Sequence, residues 1–187
     1  MANGWWRRMG ACGVAVALVA CSPTHNWRTV RHEGVPLQAL MPCKPDQAER
    51  DVPLLGPERP RVTLRMLGCD VGRSTFAVAA VPLPEAALGL DDEAVVGLWS
   101  RATWASLRQT LAAGDTAPAG WTVQPVAVPG ADRAWRWSGP AQDHRGQALR
   151  AEVLWATGRG WAVQAAVYGP PQPAEVTDTF FEGVRLP

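Results

Sequence analysis

Three histidines (His25, His32, His144) and four cysteines (Cys12, Cys21, Cys43, Cys69) are the side chains best suited to act as nucleophiles, bases or metal ligands. Their spacing argues against a metal, because no CxxC or HxxxH occurs and no histidine stands at ligand spacing from Cys43 or Cys69. Asp143-His144 could orient a nucleophile, but the stretch Gly139 to Gly146 reads as a polar loop, where a solvated histidine is the ordinary outcome. His32-Glu33 sits at a turn and reads the same way. Asp91-Asp92 could serve as a carboxylate pair, yet adjacent acids ahead of a helix are ordinary caps. The chain has no Gly-x-Ser-x-Gly elbow, P-loop, GxGxxG or HExxH. No catalytic residue, metal ligand or cofactor is therefore assigned, and an enzyme is a distant third among the functions considered.

Tryptophan is in excess: ten in all, eight of them after Cys21, against a single tyrosine. Trp135 and Trp137 share one strand face by their two-residue spacing. Trp155 and Trp161 flank a hairpin and could pair across it. These four either fill the space between sheet and helices or line an aromatic cleft for an apolar ligand or peptide. Arg101, Trp104 and Arg108 fall at i, i+3 and i+7 of a helix, away from its apolar stripe. Arg and Trp are both enriched at interaction hot spots and can form cation–π contacts. This trio is thus a candidate protein-interaction surface, unless the segment Asp46 to Pro60 covers Trp104.

The N-terminus accounts for Cys21. A cationic segment, Met1 to Met9, precedes about eleven apolar or small residues ending at Ala20, short of the ~18 to 20 needed to span a bilayer. Leu18-Val19-Ala20-Cys21 resembles a bacterial lipobox, in which cleavage precedes a cysteine that then carries lipid. The alternative is a buried core helix or an uncleaved anchor. The resemblance implies a signal peptide over residues 1–20, a lipidated tether over 21–26 and one domain over 27–187. It also implies a bacterial envelope location held by lipid on Cys21; Ser22 is similar to the residue that follows cysteines sent to the outer membrane, on its periplasmic face.

Of the 18 Lys and Arg, Arg7 and Arg8 leave with such a signal, so 16 face 17 Asp and Glu and the net charge falls to about −1. With no basic run, nucleic acid is not an expected partner. Cys43 and Cys69 remain as the only thiols of the folded part. In an oxidising compartment they read as a disulfide, with two reduced buried thiols as the alternative.

The elements that must position these residues follow from pattern. Trp27 to Arg31 and Val35 to Met41 read as strands, Asp46 to Pro60 as a surface loop. Arg61 to Leu67 alternates as a half-buried strand, Gly68 to Gly72 reads as a turn, and Ser74 to Val81 is apolar enough for a central strand. Asp91 to Leu111 reads as a helix capped by Asp91 or Asp92, with Gly114 beyond its end and Val95, Leu98, Trp99 and Ala102 toward the sheet. Strands follow over Trp121 to Val128, Arg133 to Ser138, Leu149 to Trp155 and Trp161 to Val167. Thr157 to Gly160 is a hairpin connection longer than two residues. A short helix runs from Pro173 to Gly183. The fold class is α+β: an antiparallel sheet of six or seven strands flanked by helices.

This element order resembles the PsbP/Mog1-like family, as do two local segments. Leu37-Gln38-Ala39-Leu40-Met41-Pro42-Cys43-Lys44-Pro45 is similar to a strand ending in Pro-x-x-Pro. Phe180-Phe181-Glu182-Gly183-Val184-Arg185-Leu186 is similar to a Phe-Phe-x-Ser-Phe-x-Leu ending, with Gly183 and Val184 in place of Ser and Phe. The resemblance implies an accessory or binding protein with no shared catalytic constellation. The expected function is a lipid-anchored envelope protein acting as a non-catalytic accessory or interaction module with an envelope protein partner. The alternative is a binder or carrier of a small apolar ligand.

Overall fold

The computed structural model describes residues 24–56, 58–83 and 90–187. The expected signal segment and Cys21 lie outside the described residues. Among the described residues nine strands are formed: β1 (Arg28–Arg31), β2 (Gln38–Met41), β3 (Asp46–Val52), β4 (Val62–Val71), β5 (Ser74–Pro82), β6 (Thr122–Pro125), β7 (Arg133–Gln142), β8 (Ala148–Gly158) and β9 (Trp161–Gly169). Among the same residues two helices accompany them, α1 (Asp92–Ser106) and α2 (Ala174–Glu182). Seven strands make one sheet in the order β3-β4-β5-β9-β8-β7-β6, antiparallel throughout, while β1 and β2 pair separately. The class is α+β.

Both faces of the large sheet are covered, which is why its central strands read as nearly continuous apolar runs. On one face, β1–β2 and α2 enclose Met41, Phe76, Val78, Val163, Leu154 and Phe180. On the other, α1 and the loop bearing Leu55 enclose Val81, Trp99, Trp104, Trp137, Val153 and Trp155. Cys43 and Cys69 form the expected disulfide, with Cα atoms 6.1 Å apart, stapling the segment after β2 to β4.

A half-buried ionic cluster pins α2 to the sheet. Arg136 donates to Asp178 at 2.6 Å, to Glu152 at 2.7 Å and to the Thr177 hydroxyl at 3.1 Å, and lies over the Phe181 ring at 4.5 Å. Desolvation works to lower the guanidinium pKa, but the hydrogen bonds and charges of Asp178 and Glu152 outweigh it and raise it.

Several expected elements are corrected. The supposed loop Asp46 to Pro60 contains β3, an edge strand whose residues are exposed except for half-buried Val52. It carries no apolar face to betray it; pairing with β4 creates it, with Arg65 donating to Glu49 directly opposite and Thr63 to Asp51. Gly68 to Gly72 is not a turn, because β4 runs through Val71 and reverses at Gly72-Arg73, where Gly72 takes φ +61°. The last hairpin does close in two residues. Gly158 faces Trp161, and Arg159 and Gly160 both take left-handed φ, 54° and 73°, as the tight primed turn requires. β6 is shorter than expected and β7 longer.

α1 ends at Leu107, well short of Leu111 and Gly114, although Asp91 caps it as expected by accepting from Ala94 N–H at 2.8 Å. Its buried stripe is Val95, Val96, Trp99, Ser100, Thr103, Trp104 and Leu107, while Ala102 is exposed. Ser100 and Thr103 disguise this stripe. Each hydroxyl donates back to a helix carbonyl, of Gly97 and Trp99 respectively, so a polar residue is buried with its hydrogen bond made.

Candidate functional site

The tryptophan-rich face is organised around α1. Trp104 is only 1% exposed, so the proposed exposed trio Arg101, Trp104 and Arg108 does not exist as such. Its ring lies 4.5 Å from Trp121, 5.3 Å from Trp137 and 5.4 Å from Trp155, centre to centre. The rotation of α1 set by the Trp99–Thr103–Leu107 seam turns Trp104 inward. Trp121 meets it edge on, with the ring planes at 62°, and Leu55 of the segment Asp46 to Pro60 belongs to the same buried cluster. Trp121 in turn donates its Nε1–H to the Pro140 carbonyl at 3.0 Å. Gly139 makes room for that ring, since a Cβ there would come within 2.4 Å of it.

The indole N–H groups of Trp104, Trp137 and Trp155 are buried with no oxygen or nitrogen partner in the structure. Trp155 meets both Trp104 and Trp137 edge to face, at 80° and 75°, an arrangement that offers π faces to ring edges. Arg108 remains exposed at the end of α1, at φ 54°, and donates to the His144 carbonyl at 2.8 Å. It ties the helix end to the β7–β8 turn. Arg101 is exposed and has no hydrogen bond or ion pair among the described residues.

The four proposed cleft tryptophans separate. Trp135 and Trp137 line a cleft of about 530 Å³ between α1 and the β6–β7 edge, together with Val123, Leu111, Glu93 and Arg101. Trp155 pairs across the sheet with Trp135 but is fully buried behind it. Trp161 does not pair with Trp155; it opposes Gly158, belongs to the other face of the sheet and lies under Arg65 at 5.6 Å. The strand period of two explains this, since 155 and 161 fall on opposite faces once the turn occupies two residues. Val123, the one large apolar residue that is markedly exposed among the described residues (42%), borders the cleft.

The remaining candidates are structural. His144 lies in the exposed β7–β8 turn, where the Asp143 carboxylate accepts from the backbone N–H groups of Gln147 and Arg145. The bond from Gln147 is the chief reason its pKa is lowered, with the bond from Arg145 helping against a small desolvation penalty. His32 is buried; its Nδ1 lies 3.0 Å from the Glu33 backbone carbonyl oxygen and its Nε2 4.0 Å from the carboxylate of Glu49 on β3. Among the described residues, no group of three His, Cys, Asp or Glu side chains is placed to hold a metal ion, and no helix is long and apolar enough to cross a membrane.

Sequence reasoning named Trp135 and Trp137, and Arg101 for a different surface, but did not join Arg101 to Glu93 and Gly97 as the opposite wall of the cleft. That wall is the α1 face Glu93, Gly97 and Arg101, spaced four residues apart, whose small and charged residues give no apolar signal.

No protein-family model and no curated protein matches the sequence. Among solved structures, the chain is similar to the solution structure of cyanobacterial PsbP (CyanoP) from Synechocystis sp. PCC 6803. The identity is 12% and the TM-score 0.41, over 96% of this chain and 99% of that one.

Proposed function

We propose that the chain is an exported, lipid-anchored, non-catalytic binding module of the bacterial envelope, and that its working site is the cleft between α1 and Trp135/Trp137. The cleft carries the reading. At about 530 Å³ it falls within the range of small-molecule pockets, and its lining of half-buried Trp135, the buried Trp137 edge and exposed Val123 suits an apolar group. Burial of Trp104 removes the surface on which docking of a protein partner through α1 would have rested.

The anchor reading is supported by the lipobox-like Leu18 to Cys21 and by the Cys43–Cys69 disulfide, which suits an oxidising compartment. It also fits the layout of the domain. The Asn26 N–H donates to the Pro42 carbonyl, beside the disulfide and the β4–β5 turn, at one end of the sheet. α1 reaches that same end only at Leu107, whose carbonyl accepts from Gln142 N–H. Glu93 lies at the far end of the helix, so a tether of a few residues would hold one end of the domain and leave the cleft toward the other.

Two measurements test the proposal. Cys21→Ser should abolish acyl mass on the mature N-terminus and release the protein from the membrane fraction, whereas a cell-expressed protein that retains Met1 would refute the anchor. Adding an apolar fluorescent probe to the purified protein should change tryptophan emission, and Trp135→Ala should weaken that response. A probe that binds nowhere would refute the cleft.

A further inference from the structure

The cleft is more charged than an apolar ligand requires. Arg59, Glu93, Arg101 and Asp115 all line it, and none of the four forms an ion pair among the described residues. Arg59 donates to the Leu55 carbonyl at 3.1 Å, whereas the side chains of Glu93, Arg101 and Asp115 make no hydrogen bond. Glu93 also complements the N-terminal dipole of α1, but that role leaves its carboxylate open to the cleft.

Midway between Glu93 and Arg101, on the same helix face, stands Gly97. Glycine inside a helix is unfavourable relative to alanine, and no described residue requires it here, since a Cβ at Gly97 would meet none of their atoms within 4 Å. The bare backbone leaves room for a group that approaches it from the cleft.

We propose that the cleft takes a short zwitterionic peptide, two or three residues long, with apolar side chains. This rests on the reading of the cleft as a ligand site. Two guanidinium groups and two carboxylates cancel, so a fatty acid would leave both acids unanswered and a polyamine both arginines. A peptide with free termini answers both signs. Glu93 and Arg101 are eight residues apart, about 12 Å of helix rise. Two or three extended residues span roughly 7 to 11 Å, leaving about 1 to 5 Å to be shared by the contacts at the two ends. The peptide backbone would pass over Gly97, and its side chains would pack on Trp135, Trp137 and Val123.

The test uses the mature chain in detergent, with binding read by tryptophan fluorescence and by calorimetry. The probes are Leu-Ala-Leu, the same tripeptide acetylated and amidated at its ends, and dodecanoate. The free tripeptide should bind at least tenfold more tightly than the blocked one and than dodecanoate. Gly97→Leu should abolish its binding, and Gly97→Ala should weaken it while raising the thermal midpoint, a pairing that a merely structural glycine would not give. Arg101→Gln should remove most of the advantage of a free C-terminus. Equal binding of free and blocked peptide, or tighter binding of dodecanoate, overturns the peptide assignment and leaves the cleft as a ligand site. No binding of any probe overturns both.

Discussion

Replacing Trp104 by alanine tests the interior of this domain most directly. The side chain is 1% exposed and its ring touches three other indoles at centroid distances of 4.5, 5.3 and 5.4 Å. Truncating a buried aromatic of this kind costs about 3 to 5 kcal/mol, through lost transfer energy and the cavity left behind. For a domain of this size each kcal/mol lowers the midpoint by about 2 to 4 °C, so Trp104→Ala should lower it by roughly 6 to 20 °C. Trp104→Phe should lose less than half as much, because it keeps a ring in the cluster and removes an indole N–H that has no hydrogen-bond acceptor. Calorimetry and urea unfolding of the three proteins would measure both. A fall of under about 2 °C for the alanine variant would be surface behaviour and would refute the placement of Trp104 at the centre of the cluster.

Replacing Cys43 and Cys69 by serine should cost about 3.5 kcal/mol in the chain-entropy model for a sequence separation of 26, read as a lower urea midpoint; alkylation of both cysteines without prior reduction would contradict the bond. Gly139→Ala should destabilise by about 1 to 3 kcal/mol, because the new methyl group meets the Trp121 ring, and should alter tryptophan emission; an unchanged melting curve would count against that packing. Burial raises the pKa of Tyr168, the single tyrosine, so its phenolate absorbance should not appear near pH 10 in the native protein but should emerge on unfolding. With the folded pKa above the unfolded one, this contribution to stability is intact below about pH 10 and is lost as the pH climbs beyond it. A native titration near pH 10 would show the ring to be solvated.

The parts of this fold that were legible were those whose hydrophobic pattern matches their surroundings. β5 and β9 are apolar because helices or strands cover both their faces, and α2 announces itself through Pro173, Phe180 and Gly183. β3 could not be read, because an edge strand exposed on both sides needs no apolar alternation; it exists through its ladder to β4 and the Glu49–Arg65 pair. The rotation of α1 was misread for a related reason. Ser100 and Thr103 are buried with their hydroxyls satisfied by helix carbonyls, so the true stripe contains polar letters and the false one, ending at Ala102, does not. Half of the cleft was visible, in the i, i+2 spacing of Trp135 and Trp137. The Glu93–Gly97–Arg101 wall was hidden because it belongs to a helix face that buries nothing of its own.

If the proposed lipid anchor holds many copies on one membrane, the two open borders of the sheet acquire a meaning. Molecules confined to a plane and held by the same end meet side by side far more often than they would in solution, and a bare strand border would then invite sheets to zip together. One border here is β3, with Asp46, Glu49, Arg50 and Asp51 all in water, so that joining it would strip charges of solvent. The other is β6, only four residues long and closed by Pro125, which has no N–H to offer a neighbour. Such borders let the protein be crowded on a surface without polymerising along it.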